Sequence, residues 1–137
     1  MKSLFSFAVI ILFLGSCDAQ STDNAPNTTN AAGSTTSCEC QRVDAAQFRS
    51  GIAAGNVQIL DVRTPEELRE GKIEGSININ FYDRNFKEQV AKLDKNVPVY
   101  VYCRSGARSQ QAMEVMRELG FTVVYELKGG YMNYNKA

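Results

Sequence analysis

The sequence predicts an α/β fold, with a central, mostly parallel five-stranded sheet and helices on both faces. Three observations predict it. Short β-branched and aromatic runs recur between residues 40 and 127 and alternate with helical patterns. The strongest runs are apolar throughout, as a sheet covered on both faces requires. The links between them are short, which favours right-handed β-α-β crossovers over hairpins.

"CQRV", residues 40–43, is a weak first strand. "DAAQFRSGIAA" follows, with Asp44 as N-cap and Gln47 three residues on, a capping box. "VQIL", 57–60, is a continuous apolar strand running into Asp61. "TPEELREG" reads as a helix: Thr64 caps, Pro65 takes the first helical position, Glu67 closes the box and Gly71 stops it. "SININ", 76–80, is a short strand, and "RNFKEQVAKL" sets Phe86, Val90 and Leu93 on one helical face. "PVYVY", 98–102, is a strand that ends in Cys103. "SQQAMEVMRELG" places Ala112, Val115, Met116 and Leu119 on one face, with Gly120 as C-cap. "FTVVYEL", 121–127, is the last strand.

Before these elements stands a different kind of sequence. Lys2 precedes an apolar run from Leu4 to Leu14, too short to span a membrane. "LGSC", 14–17, resembles the lipobox of bacterial lipoproteins, and that resemblance implies cleavage before Cys17 and its lipidation. An ordinary secretory signal cut after Ala19 is the alternative. Either reading implies export; the lipobox resemblance implies the periplasm or outer surface of a bacterial envelope, with a membrane contacted only through the lipid. Residues 1–16 are thus read as a signal peptide, 17–37 as a disordered polar tether and 38–137 as the folded domain. The tether is rich in Ser, Thr, Asn and Ala and lacks hydrophobic periodicity. Twenty such residues span about 25 Å.

Composition excludes several functions. The 15 basic and 15 acidic residues of the 137-residue chain balance, so no basic excess points to nucleic acid. Histidine is absent, which removes Ser-His and Cys-His catalysis and the commonest zinc sites. No metal or cofactor is expected. With Cys17 set aside, Cys38, Cys40 and Cys103 remain, an odd number that leaves a thiol unpaired in an oxidising compartment. Cys38 and Cys40 are either a local thiol or disulfide pair, or resolving thiols for Cys103.

Sites in parallel sheets lie beyond the C-terminal strand ends. Cys103 stands at one such end and Asp61-Val62-Arg63 at another. Cys103 opens the stretch "CRSGARS", which runs into a helix. A thiolate is stabilised by helix N-termini and nearby cations. Arg104 and Arg108 supply charge, and Gly106 lets the backbone of Arg104, Ser105, Ala107 and Arg108 turn its amides inward as an anion nest. Electrostatics can therefore replace the missing base. Cysteine phosphatases place five residues between cysteine and arginine, whereas four separate Cys103 from Arg108. The smaller ring suits the outer sulfur of a persulfide better than a phosphate. Asp61, Arg63 and Glu67 are supporting candidates, with an Arg63–Glu67 ion pair fixing the strand-helix turn as the structural alternative.

Residues 40 to 135 resemble the single-domain rhodaneses. "DVRTPEELREGKIEGSINI", 61–79, is similar to that family's N-terminal signature, with Lys72 where histidine is usual. "CRSGARS" resembles its active-site loop, and "LKGGYMNY", 127–134, its closing segment, with Tyr134 where tryptophan is common. The resemblance implies a rhodanese-like fold and sulfurtransferase chemistry. Cys103 would take a sulfane sulfur from a small donor such as thiosulfate and pass it to a thiol acceptor. The loop of Arg104, Ser105, Gly106, Ala107 and Arg108 would bind the donor. A sulfur-carrier module without turnover of its own, a cysteine phosphatase or arsenate reductase, and a thiol-disulfide exchanger are the rival readings.

Overall fold

A computed structural model describes residues 37–136. The signal segment, the lipobox with Cys17 and all but the end of the tether lie outside the described residues. Five strands, β1 (Glu39–Val43), β2 (Gln58–Asp61), β3 (Ile77–Asn78), β4 (Val99–Tyr102) and β5 (Val123–Leu127), form one sheet in the order β1-β5-β4-β2-β3. Every pairing is parallel, so the expected mostly parallel sheet is wholly so. Helices α1 (Ala45–Ala53), α2 (Phe86–Val90), α3 (Ala107–Glu118) and α4 (Gly130–Tyr134) pack on it.

Alternation along each strand sorts the core into two layers. Leu60, Val99, Val101 and Val124 face Phe86, Val90, Ala112, Met113 and Met116 of α2 and α3. Tyr100, Tyr102 and Leu127 face Ala45 and Phe48 of α1 and Tyr131 of α4. The central strand β4 is buried at every position, which explains its unbroken apolar character. Phe48 is buried edge-on against Tyr100 at 5.1 Å between ring centroids, and a Cβ on Gly51 would collide with that tyrosine's hydroxyl. Burying such rings contributes about 1.5–3 kcal/mol each.

The capping box at Asp44 and Gln47 forms in both directions. The 64–71 segment differs from its sequence reading. The Thr64–Glu67 bonds of the box are made, but only a 3₁₀ turn follows, Glu67–Glu70. The cause is Arg63, whose guanidinium donates to the carbonyls of Glu67 and Gly71 at 3.2 and 2.7 Å. An α-helix would give the Glu67 carbonyl to the Gly71 amide; that amide instead donates to Leu68, and Gly71 turns away at φ 106°. Helix α2 is also shorter than its pattern, with Leu93 packing from the turn beyond it. Helix α4 was not expected as a helix at all.

Candidate active site

Strand β4 delivers Cys103 to its C-terminal end, fully buried on the α3 side of the sheet. Gly106 then takes φ 101°, a conformation that favours glycine, and the chain enters α3. Its amide donates to Cys103 Sγ at 3.1 Å. A second contact comes from Ser109 in the first turn of α3, whose hydroxyl lies 3.5 Å from the same sulfur. Ser105 is at the loop's outer edge. With Lys128, Gly129, Met132, Asn133 and Lys136 it lines an open cleft of about 390 Å³.

The back of the loop is held by the segment after β5. The amides of Tyr131 and Met132 donate to the carbonyls of Cys103 and Arg104 at 2.8 and 3.1 Å. Gly130 lies so close beneath that a Cβ there would sit 2.5 Å from those two residues' carbonyl oxygens. The loop's carbonyls are thus engaged from outside.

The two arginines differ. Arg104 is half exposed, its Nη2 3.8 Å from Glu70. Arg108 makes a two-pronged bond to the Glu67 carboxylate, at 2.7 and 2.6 Å, with its guanidinium 5.5 Å from the Tyr82 ring. That pairing raises the Arg108 pKa and drives Glu67 down to about 2. Arg108 therefore reaches the site as half of a neutral pair and ties the 64–70 segment to α3.

Asp61 and Arg63 occupy the neighbouring strand end but do not touch the sulfur. Arg63 is fully buried, donates to both Asp61 oxygens at 2.7–3.0 Å, and stands 4.2 Å over the Tyr131 ring. Burial pulls its pKa down, but the Asp61 carboxylate more than offsets this, so it stays raised. The Arg63–Glu67 ion pair offered by the sequence is not made: Arg63 takes the Glu67 carbonyl, and Glu67's carboxylate goes to Arg108. Beside this pair, Tyr102 donates to Ser76 and accepts from the Ile73 amide, both at 3.1 Å, and burial pushes its phenol up to about 12.

Cys38 and Cys40 are joined in a disulfide. Cys40 pairs with Val124, and Val124 with Val99, so the disulfide lies at the N-terminal ends of the strands. Cys103 is four residues further along β4 and two strands across, about 13 Å by about 10 Å. A resolving role toward Cys103 within one chain does not fit that separation. Among the described residues no three His, Cys, Asp or Glu side chains gather as a metal site.

Sequence reasoning missed Ser109, Glu126 and Arg42. Glu126 is wholly buried; its Oε1 accepts from Ser109 at 2.6 Å and its Oε2 from Arg42 Nε at 2.7 Å. The available signal was a carboxylate inside an otherwise apolar strand, which needs a partner to be buried.

Comparison with known proteins agrees with this geometry. The family model described as "Rhodanese-like domain" matches residues 44–137. The thiosulfate sulfurtransferase PspE of Escherichia coli is 42% identical over 73 residues, 52% of this chain and 67% of its own. The thiosulfate sulfurtransferase GlpE of Shewanella oneidensis is 34% identical over 84 residues, covering 61% and 81%. A tRNA uridine(34) hydroxylase of Pelagibacter ubique is 34% identical over 97 residues, 69% of this chain, but the match spans only 32% of that longer protein. The crystal structure of a rhodanese-related protein from Thermoplasma volcanium superposes with a TM-score of 0.62 at 31% identity, covering 70% of this chain and 91% of its own. With its all-parallel sheet, its cysteine loop and a matching family model over residues 44–137, the chain belongs to the rhodanese-like domain family.

Proposed function

We propose that the protein is a sulfurtransferase working through a persulfide on Cys103. The observation that carries this reading is the sulfur itself: a single nucleophile at a parallel-strand end, held by the Gly106 amide at 3.1 Å inside a loop with four residues between Cys103 and Arg108. The thiolate attacks the outer sulfur of a thiosulfate-like donor. The donor's S–S bond breaks, sulfite leaves with the bonding pair, and the Cys103 persulfide carries the negative charge. An acceptor thiolate then attacks the outer persulfide sulfur and returns Cys103 as thiolate. Arg104, half exposed at the loop, attracts the anionic donor and steadies the departing sulfite. The thiosulfate sulfurtransferases among the relatives support this choice of donor.

The test is intact mass after incubation of the full chain with thiosulfate. A gain of one sulfur, mapped to the Cys103 peptide and removed by a thiol or cyanide, is the expected result. Failure to load from thiosulfate or from an organic persulfide would overturn the reading. Steady turnover with cyanide separates an enzyme from a passive carrier.

The protein is further proposed to be an exported lipoprotein anchored at Cys17. The "LGSC" stretch and the Cys38–Cys40 disulfide, which an oxidising compartment sustains, support this. Metabolic labelling with a fatty acid, lost in Cys17→Ser, tests it.

A further inference from the structure

Among the described residues Glu126 is the one wholly buried carboxylate on the Cys103 side of the sheet, and the sulfur-transfer scheme gives it no task. It meets Cys103 through Ser109. The Ser109 oxygen has three acceptors within reach: Glu126 Oε1 at 2.6 Å, the Gly106 carbonyl at 3.1 Å and Cys103 Sγ at 3.5 Å. A hydroxyl has one proton to give. The short bond to an ionised carboxylate is the strongest of the three and claims it. What Ser109 then turns toward Cys103 is an oxygen lone pair, which suits a thiol that donates its own proton.

The charges around this pair come from every side. From β1, Arg42 donates to Glu126 Oε2 at 2.7 Å, but its side chain is 42% exposed. Gln110 of α3, with its amide oxygen turned toward that guanidinium, accepts from it at 3.0 and 2.5 Å. Arg108 of α3 is committed to Glu67, and Arg104 leans toward Glu70. A thiolate at Cys103 would therefore face the Glu126 carboxylate across no more than about 6 Å of buried space, where like charges repel strongly.

We infer that Glu126 is a positioning residue for the nucleophile: it holds the single hydroxyl proton of Ser109 away from Cys103, and with its charge it opposes ionisation of the thiol. With that proton held by Glu126, an ionised Cys103 lacks the Ser109 donor and faces the buried carboxylate. The inference rests on Cys103 as the nucleophile, but its test needs no sulfur donor.

The test is the pH dependence of iodoacetamide alkylation on the full chain, read at the Cys103 peptide by mass spectrometry. Glu126→Gln removes the charge and frees the Ser109 proton. Its alkylation midpoint should fall by one pH unit or more, which makes alkylation at least tenfold faster below the midpoint. Glu126→Asp keeps the charge and should stay nearer the wild type. Ser109→Ala should leave the midpoint within about 0.3 unit in the wild-type background. In the Glu126→Gln background it should raise it, because only there does the hydroxyl donate to the sulfur. A Glu126→Gln midpoint that is unchanged or higher would overturn the inference, as would an equal rise from Ser109→Ala in both backgrounds. If Glu126→Gln does not fold, Ser109→Ala alone decides: no rise supports the inference, and a rise of a full unit shows that Ser109 already donates to Cys103 and overturns it. Because no sulfur donor is used, these outcomes are independent of whether thiosulfate is the substrate.

Discussion

Glu67→Gln tests the tie between the 64–70 segment and α3. In the native protein the two-pronged bond to Arg108 holds the Glu67 carboxyl at about 2, against an ordinary value of 4.5. The folded state thus favours the charged form, and the linked stability is full above pH 4.5 and lost as pH falls toward 2. The gap between the two values corresponds to a ceiling of roughly 3 kcal/mol. Both side chains keep about a seventh of their surface in water, so solvent screening lowers the expected figure to about 2 kcal/mol. Glutamine keeps the shape and one acceptor but not the charge. Urea unfolding at pH 7, 5 and 3 should show the wild type ahead by about 2 kcal/mol at pH 7, nearly as much at pH 5, and about half as much at pH 3. A gap of the same size at pH 3 and pH 7 would refute the reasoning, because it would show that the carboxylate's charge plays no part. So would a gap below about 0.5 kcal/mol at pH 7.

Three further outcomes follow from the same geometry. Cys103→Ser should abolish sulfur loading in the intact-mass assay while moving the thermal midpoint by no more than a few degrees, since oxygen replaces sulfur at one buried atom. Gly130→Ala should cost about 2 kcal/mol or more in urea unfolding, because its Cβ would strike the carbonyls of Cys103 and Arg104 and its φ is 60°; sulfur loading of the folded fraction should fall with it. Arg104→Ala should change stability by less than about 0.5 kcal/mol, as its pairing with Glu70 is exposed. It should slow uptake from thiosulfate more than from a neutral organic persulfide, and equal slowing in a stopped-flow comparison would reduce Arg104 to a shaping role.

Much of the fold was legible because strands and helix faces announce themselves locally. The apolar run ending at Cys103, the capping box at Asp44 and the apolar face of α3 all rest on neighbouring residues, and the structure shows each of them. What the sequence hid depends on contacts made far along the chain. The 64–71 segment carries every local mark of a helix, yet Arg63 claims its carbonyls and leaves a 3₁₀ turn. Arg108 read as a cation for the site, because its partner lies 41 residues earlier and was assigned elsewhere. Glu126 sat unremarked in "VVYEL", since nothing local says that a strand carboxylate meets Ser109 on one side and Arg42 on the other. The place of Cys103 at a strand end was legible, and its electrostatic surroundings were not.

The amides of Tyr131 and Met132 close the back of the loop, and this fixes an order of assembly. Cys103, Gly106 and Ser109 are near neighbours and can form a turn and a nascent helix early. Glu126 and the Gly129–Met132 wedge become available only after β5 has docked beside β4, and β5 is also the strand that recruits β1 from more than eighty residues away. Long-range parallel pairing is the slow part of folding such a sheet. Cys103 therefore spends the early life of the chain without the backbone clamp and without the carboxylate inferred to oppose its ionisation. Docking of β5 closes the clamp and restrains the thiol together, so a fall in alkylation of Cys103 during refolding should report completion of the whole sheet.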